Sequence, residues 1–470
     1  MVTARRTRWS FALQRAVDWC RHLHLPLVVL EPLQLDYPWA SDRLHRFMLD
    51  GMAVNQRAMA RRAGVTYLPW IEPSPGAGRG LLTTVAASAG VVVTDDYPAY
   101  VVPAVQVAAA SEMTVLMEAV DGNGLLPMRD AGQVFPTAYA FRRYMQRTFG
   151  ARRPAMPRPD PLDELPALPA ARLPLELNSR WPIPDARIDA SRPLDSLAID
   201  HTVAPAPARG GAEAAADALH AFLANSLDRY ASDRNQLEPD VSSRLSPYLH
   251  FGHIAAHEVF DAVMSRAGWL GVLPARATGA REGWWGLDAA SEAFLDQLVT
   301  WRELGFNTCV GRPADYDRYE SLPDWARATL DAHRDDPRPW VYDLPALARA
   351  ATHDPLWNAA QRQLIREGRI HNYLRMLWGK KILEWSASPE AALGVMIELN
   401  NKFALDGRDP NSYSGIFWTL GRYDRPWAPE RPVFGTIRYM SSQNTARKMK
   451  VGPYLHRFGP ESGAATLFTD

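Results

Sequence analysis

At 470 residues the chain exceeds the length at which a single hydrophobic core keeps growing, so two domains are expected. Hydrophobic residues make up 47% and charged residues 22%, and Lys plus Arg balances Asp plus Glu at 52 each. These figures point to an ordinary globular protein and exclude a polyanion binder that works through whole-molecule charge, and no apolar run is long enough to span a bilayer. Cys20 and Cys309 are too few for a disulfide framework or a four-thiolate iron–sulfur cluster, so a reducing, cytoplasmic setting without a metal site is expected.

The first 130 residues alternate helical and strand patterns. Residues 5–24 place Trp9, Leu13, Ala16 and Cys20 at helical spacing, and LPLVVLEPL (25–33) reads as a buried strand. A long amphipathic stretch, 41–63, leads to VTYLPW (65–70), and a further helical stretch leads to GVVVTDD (90–96). AYVVP (99–103) and TVLMEAV (114–120) are two more β-prone runs. The alternation predicts an α/β domain over 1–135, Rossmann-like, with a parallel sheet and helices on its faces. Residues 136–211 are expected to form a connector, because from 151 onward a proline recurs every few positions and removes backbone donors. From 212 to 470 strand signals nearly vanish and an all-helical domain is predicted. Ser388-Pro389-Glu390 there supplies an N-cap, a first-turn proline and a first-turn acid.

Within DPLWNAAQRQLIREGRIHNYLRMLWGKKILEW (354–385), Trp357, Trp378 and Trp385 sit in a polar run. Trp378 and Trp385 are seven apart, which on a helix puts them on one face about 10.5 Å apart along the axis. Such rings could pass an electron or could equally form a core stripe. HNYLRMLWGKKILEW, with SSRLSPYLHFGHIAAHEVF (242–260), FLDQLVTWRELGFN (294–307), THDPLWNAAQ (352–361), LDGRDPNSYSGIFW (405–418) and ERPVFGTIRYM (430–440), resembles the photolyase and cryptochrome family. The order and wording are those of the class II cyclobutane pyrimidine dimer photolyases. PLVVLEPLQLDYPWASDRLHRFMLDGM and MEAVDGNGLLPM in the first domain are similar to class II segments as well.

That resemblance implies a light-driven DNA repair lyase holding FAD in its helical domain, reduced when active, with UV-damaged DNA as partner and a monomer as the default. The antenna chromophore is left open. By similarity, Tyr230 and the turn Ser242, Ser243, Arg244, Leu245, Ser246 would hold the FAD phosphates, and Arg302 would serve the same region. Asn372 and Arg375 would face the flavin, Asp406 and Asp409 its polar edge, and Asn400 its N5 side. Trp357, Trp378 and Trp385 would form the electron wire, with one end at the cofactor and the other at solvent. Trp301 and Trp418 would wall the lesion pocket, with Met376 beside them. Arg422, Arg431 and Arg438 belong to a basic segment, 421–450, that also holds Arg425, Arg447, Lys448 and Lys450 against only Asp424 and Glu430, and would anchor DNA phosphates.

Two departures stand out. The pattern calls for glutamate at 297 and the chain has Gln297, which can donate but cannot supply a proton, so slowed repair or a cryptochrome-like photoreceptor role is implied. The resemblance also implies a strand ahead of the first helix, and the chain begins at what looks like its last residue, so either the start is misplaced or the sheet is incomplete.

Overall fold

The computed structural model describes residues 1–151, 155–182 and 188–460. The first helix spans Phe11–Leu23, shorter than the periodicity predicts. Trp9 adopts φ 49, which a helix cannot accommodate, and the Ser10 hydroxyl accepts from the Leu13 amide to cap the start. The stripe it buries is Leu13, Val17 and Cys20.

Four strands follow: β1 (Leu27–Leu33), β2 (Val65–Ile71), β3 (Val91–Asp96) and β4 (Leu116–Asp121). They are parallel, as the α/β alternation predicts, but they make two separate pairs, β1 with β2 and β3 with β4. A cavity of about 650 Å³ lies between the halves, lined by β1 residues Leu27–Leu30, β3 residues Val91–Asp95 and the side chains of Trp19, Leu81 and Val102. Among the described residues no strand joins the two halves. They are linked at one end, where the Met1 amino group donates to the Leu30 carbonyl and the amides of residues 2–4 donate to Asp95 Oδ2, and the helix Phe11–Leu23 packs on both.

AYVVP is not a strand. A helix, Val102–Glu112, starts inside it, because Pro103 suits a first-turn position where its missing N–H costs nothing. The Pro-rich region also holds more structure than its composition announces. Ala138–Ala151 is a helix that buries Phe141, Met145 and Phe149, and its Arg142 pairs with Asp296 of the helical region at 2.8 Å. Beyond it, to residue 211, the described residues form only short turns of helix, and Trp181 pins the connector by donating from Nε1 to the Ala77 carbonyl.

Helices dominate from Ala212 onward. Pro389–Phe403 starts as read, with the Ser388 hydroxyl accepting from the Ala391 amide. One element carries no sequence signal: Asp296–Trp301 winds as a π-helix, a local widening common where function needs side chains re-aimed. Among the described residues no helix is long and apolar enough to cross a membrane.

Candidate cofactor and substrate site

Pro355–Glu367 and Asn372–Trp385 form an antiparallel pair whose turn is set by Gly368 at φ 68. Asp354 starts the first of these helices by accepting from the amides of Leu356 and Trp357. The pair encloses the three tryptophans. Trp357 Nε1 donates to the Trp378 carbonyl at 3.1 Å, Trp378 Nε1 donates to Gln361 Oε1 at 2.8 Å, and the Trp357 and Trp385 rings meet edge-on at 5.6 Å. A buried indole needs a partner for its N–H, which is what the polar neighbours provide here.

The solvent end differs from the sequence expectation. Trp385 is only 2% exposed, being covered by Tyr342 at 5.6 Å and His353 at 5.2 Å. Aromatic contact continues from His353 to Trp340, stacked at 4.6 Å and 52% exposed. The trio therefore ends one layer below the surface, and Trp340 is where the aromatic path emerges.

Beside this pair lies a cavity of about 490 Å³, a size typical of ligand sites, lined by Asn235, Asn372, Tyr373, Met376, Trp418 and Arg438 among others. Asn372 and Met376 are one turn apart and so share the helix face that borders it. On the neighbouring face Arg375 donates to Asp406 at 3.1 Å and to Asn400 Oδ1 at 3.4 Å, while Asn400 Nδ2 donates to Ser412. Close by, His371 Nδ1 is buried with no hydrogen-bond partner.

The turn 242–246 faces this region but is folded around Asp240. The Ser242 hydroxyl and amide and the Arg244 guanidinium all donate to that carboxylate, which Arg369 also contacts at 2.9 Å. Against the penalty of burial, Arg369 and Ser242 hold Asp240 at about 2. Arg244 sits at φ 56 with its side chain largely in solvent, Leu245 is buried, and Ser246 opens a helix of only five residues, Ser246–His250. Tyr230 packs at the edges of Phe222 and Phe294.

Two expected cofactor residues point elsewhere. Asp409 caps the helix Pro410–Thr419 and accepts from the Tyr97 hydroxyl at 3.0 Å, with His250 Nδ1 at 3.4 Å. Arg302 donates to the Asn123 carbonyl at 2.6 Å and lies over Phe306. Both serve the junction with the first 130 residues. The groups a dinucleotide would need lie near one another: a roomy cavity bordered by Asn235 and Asn372, the polar cluster of Arg375, Asn400 and Asp406 at the neighbouring face of the same helix, and an orphaned imidazole nitrogen at its start.

Gln297 and Trp301 lie on the π-helix, half-buried, and Gln297 makes no side-chain hydrogen bond among the described residues. Trp301 meets Tyr423 at 6.5 Å, and the Tyr423 hydroxyl contacts Ser414, one turn before Trp418. The basic segment is not uniformly outward. Arg422 is buried, lies 3.7 Å over Phe417 and donates to the Tyr316 carbonyl and to Ser321, so it is a packing residue and not a phosphate anchor. Arg438 pairs with Asp424 at 3.1 Å and stacks 3.9 Å from Trp427, and Arg431 lies over Tyr439 at 4.9 Å. Charge counting missed Trp427 and Tyr439, although the interleaving of arginine and aromatic residues over 422–440 was a visible signal. Arg422→Gln is expected to lower the melting temperature and Arg431→Gln to leave it unchanged. Thermal melts of the two variants check both; the reverse pattern would refute the assignment.

The chain is 32% identical over 462 residues to the deoxyribodipyrimidine photo-lyase of Methanothermobacter thermautotrophicus, covering 97% of this chain and 93% of that one. The chain belongs to the photolyase/cryptochrome family. A second photolyase of that description, from Potorous tridactylus, is 40% identical over 254 residues, which are 54% of this chain and 44% of the marsupial protein. Solved photolyase/cryptochrome folds superimpose along the chain. A bacterial class III photolyase from Agrobacterium tumefaciens gives a TM-score of 0.67 at 18% identity, covering 97% of this chain and 85% of that one, and the Synechocystis cryptochrome gives 0.69 at 13%, covering 97% and 86%. No protein-family model matches the chain.

Proposed function

We propose that the protein is a class II cyclobutane pyrimidine dimer photolyase, a lyase that repairs UV-damaged DNA by light. The observation that carries this reading is the buried tryptophan trio on the helix pair that also borders the polar-lined cavity. FAD, when bound in its reduced form, supplies the photoexcited electron that splits the dimer. In this reading residues 212–470 hold cofactor and DNA, and residues 1–135 form an antenna-type region whose pigment is open.

The side chains have definable tasks. Arg375, braced by Asp406, and Asn400, braced by Ser412, present fixed polar groups where a buried ring edge needs partners. Trp301 and Trp418 offer faces on which extruded bases recover about 1–3 kcal/mol each of lost stacking. Arg431 and Arg438 neutralise nearby phosphates, and the aromatic rings beneath them fix their directions. Gln297 donates a neutral hydrogen bond to the lesion.

Blue-light photoreduction of the purified protein, followed by incubation with a dimer-containing oligonucleotide, tests the proposal. Restored pyrimidines support it, and a flavin-loaded protein that photoreduces without repairing would replace it with the second reading, a photoreceptor, which Gln297 favours. Gln297→Glu is expected to raise the quantum yield of repair several-fold, since a carboxyl can follow charge developing on the dimer. Identical yields for the two proteins would remove position 297 from the chemistry.

A further inference from the structure

Trp418 is held between two cations that differ in kind. Lys380 is completely buried on the helix Asn372–Trp385, its ammonium 5.2 Å from the centre of the Trp418 ring and donating to the Thr419 carbonyl at 2.6 Å. The guanidinium of Arg438 lies 5.5 Å from the same ring. No carboxylate pairs directly with Lys380 among the described residues, and the charged groups that reach it are Asp424, drawn toward Arg438, and Arg438 itself. The neighbouring Lys381 offers a contrast: it lies 5.5 Å from Trp385 but is neutralised by Glu384 at 2.6 Å. Close packing makes the arrangement possible, because a Cβ on Gly379 would come within 2.6 Å of Thr419 Cγ2.

An uncompensated positive charge on an indole face in a dry site opposes removal of an electron from that indole far more than a compensated one does. Trp418 lines the cavity, so it competes with the trio as an electron donor to any oxidant seated there. We infer that Lys380 acts as a positioning charge that makes Trp418 hard to oxidise, so that electrons leave through Trp378, Trp357 and Trp385 and the cavity wall is spared; Arg438, paired with Asp424 at 3.1 Å, contributes little. The trio carries no such uncompensated cation: Trp378 is bonded to neutral Gln361, and Trp357 to a carbonyl. This inference rests on the electron-transfer reading above.

The test needs neither cofactor nor light. Azide radical, generated by radiolysis of azide in aerated solution, takes one electron from an indole and becomes azide ion; the indole radical cation loses its N–H proton, and superoxide, formed when oxygen takes up the hydrated electron, couples with the indolyl radical and gains a proton, leaving a hydroperoxide-derived product that peptide mass spectrometry locates. Because burial pushes the Lys380 amine down to about 7, the reaction is run at about pH 6, where the ammonium form prevails. The yield at Trp418 relative to half-buried Trp301 is expected to rise at least about threefold in Lys380→Met, and in the unaltered protein when the pH is raised from about 6 to about 8. An unchanged ratio in both cases would overturn the inference. The pH comparison decides the matter if Lys380→Met fails to fold. Failure here leaves the photolyase reading standing, since the assay does not involve its chemistry.

Discussion

Trp357→Phe is expected to abolish light-driven reduction of bound FAD while leaving the chemically reduced protein able to repair. Trp357 is wholly buried, its ring is the one that touches Trp385, and its Nε1 reaches the Trp378 backbone. It is therefore the middle member of the trio, and without it the electron must cross between Trp378 and Trp385, about two helical turns apart. Phenylalanine preserves most of the buried area but is far harder to oxidise than indole. The rate of flavin bleaching under blue light with an external donor should fall by at least about tenfold, at a stability cost of roughly 1–3 kcal/mol from lost volume and the broken Nε1 hydrogen bond. Normal photoreduction in this variant would mean that the electron takes another path, and loss of repair after dithionite reduction would mean that the substitution damages the site itself.

The second large effect is expected at Arg375. Its guanidinium bonds both Asp406 oxygens, at 3.1 and 3.2 Å, and also reaches Asn400, with both members of the ion pair 14% exposed. Arg375→Ala leaves a nearly buried carboxylate without its partner, a change that costs about 3–5 kcal/mol in comparable pairs. The same change frees Asn400 from one of its three braces, leaving Asn401 and Ser412. The variant should melt several degrees lower and purify without the yellow colour of bound flavin. Adding Asp406→Ala should restore part of the melting temperature, because the stranded charge is gone, but not the colour. Should the double variant regain flavin, Arg375 would be a structural residue only.

Much of this architecture was legible in the sequence. Runs such as VVVTDD and VTYLPW are too β-branched and too short for helices, and they became β3 and β2. AYVVP is similarly β-prone but ends as a turn leading into a helix that starts at Val102, since a proline in the first turn favours a helix start more than three β-branched or aromatic residues favour a strand. The fate of Arg422 could not be read from charge, because a count of basic residues does not record which way each side chain points. Asp409 was misdirected for a related reason: its motif places it near the polar cluster, but its carboxylate is spent on a helix cap and on Tyr97, 312 positions away in the chain. The π-helix under Gln297 and Trp301 has no compositional mark at all, as it depends on how the surrounding helices press on the segment. The indole trio was readable as spacing, and only the fold shows that it stops short of water.

The divided sheet bears on mechanical robustness. With a cavity of about 650 Å³ between β1 and β3, the two strand pairs exchange no backbone bonds among the described residues and can open without the helices, and compression favours the opening of such loosely packed regions. Under hydrostatic pressure this end of the molecule should yield first, with amide protons of β1 and β3 exchanging at pressures that the helices around Trp357 still resist. Simultaneous loss of protection throughout the chain would show that the two regions share one cooperative unit instead.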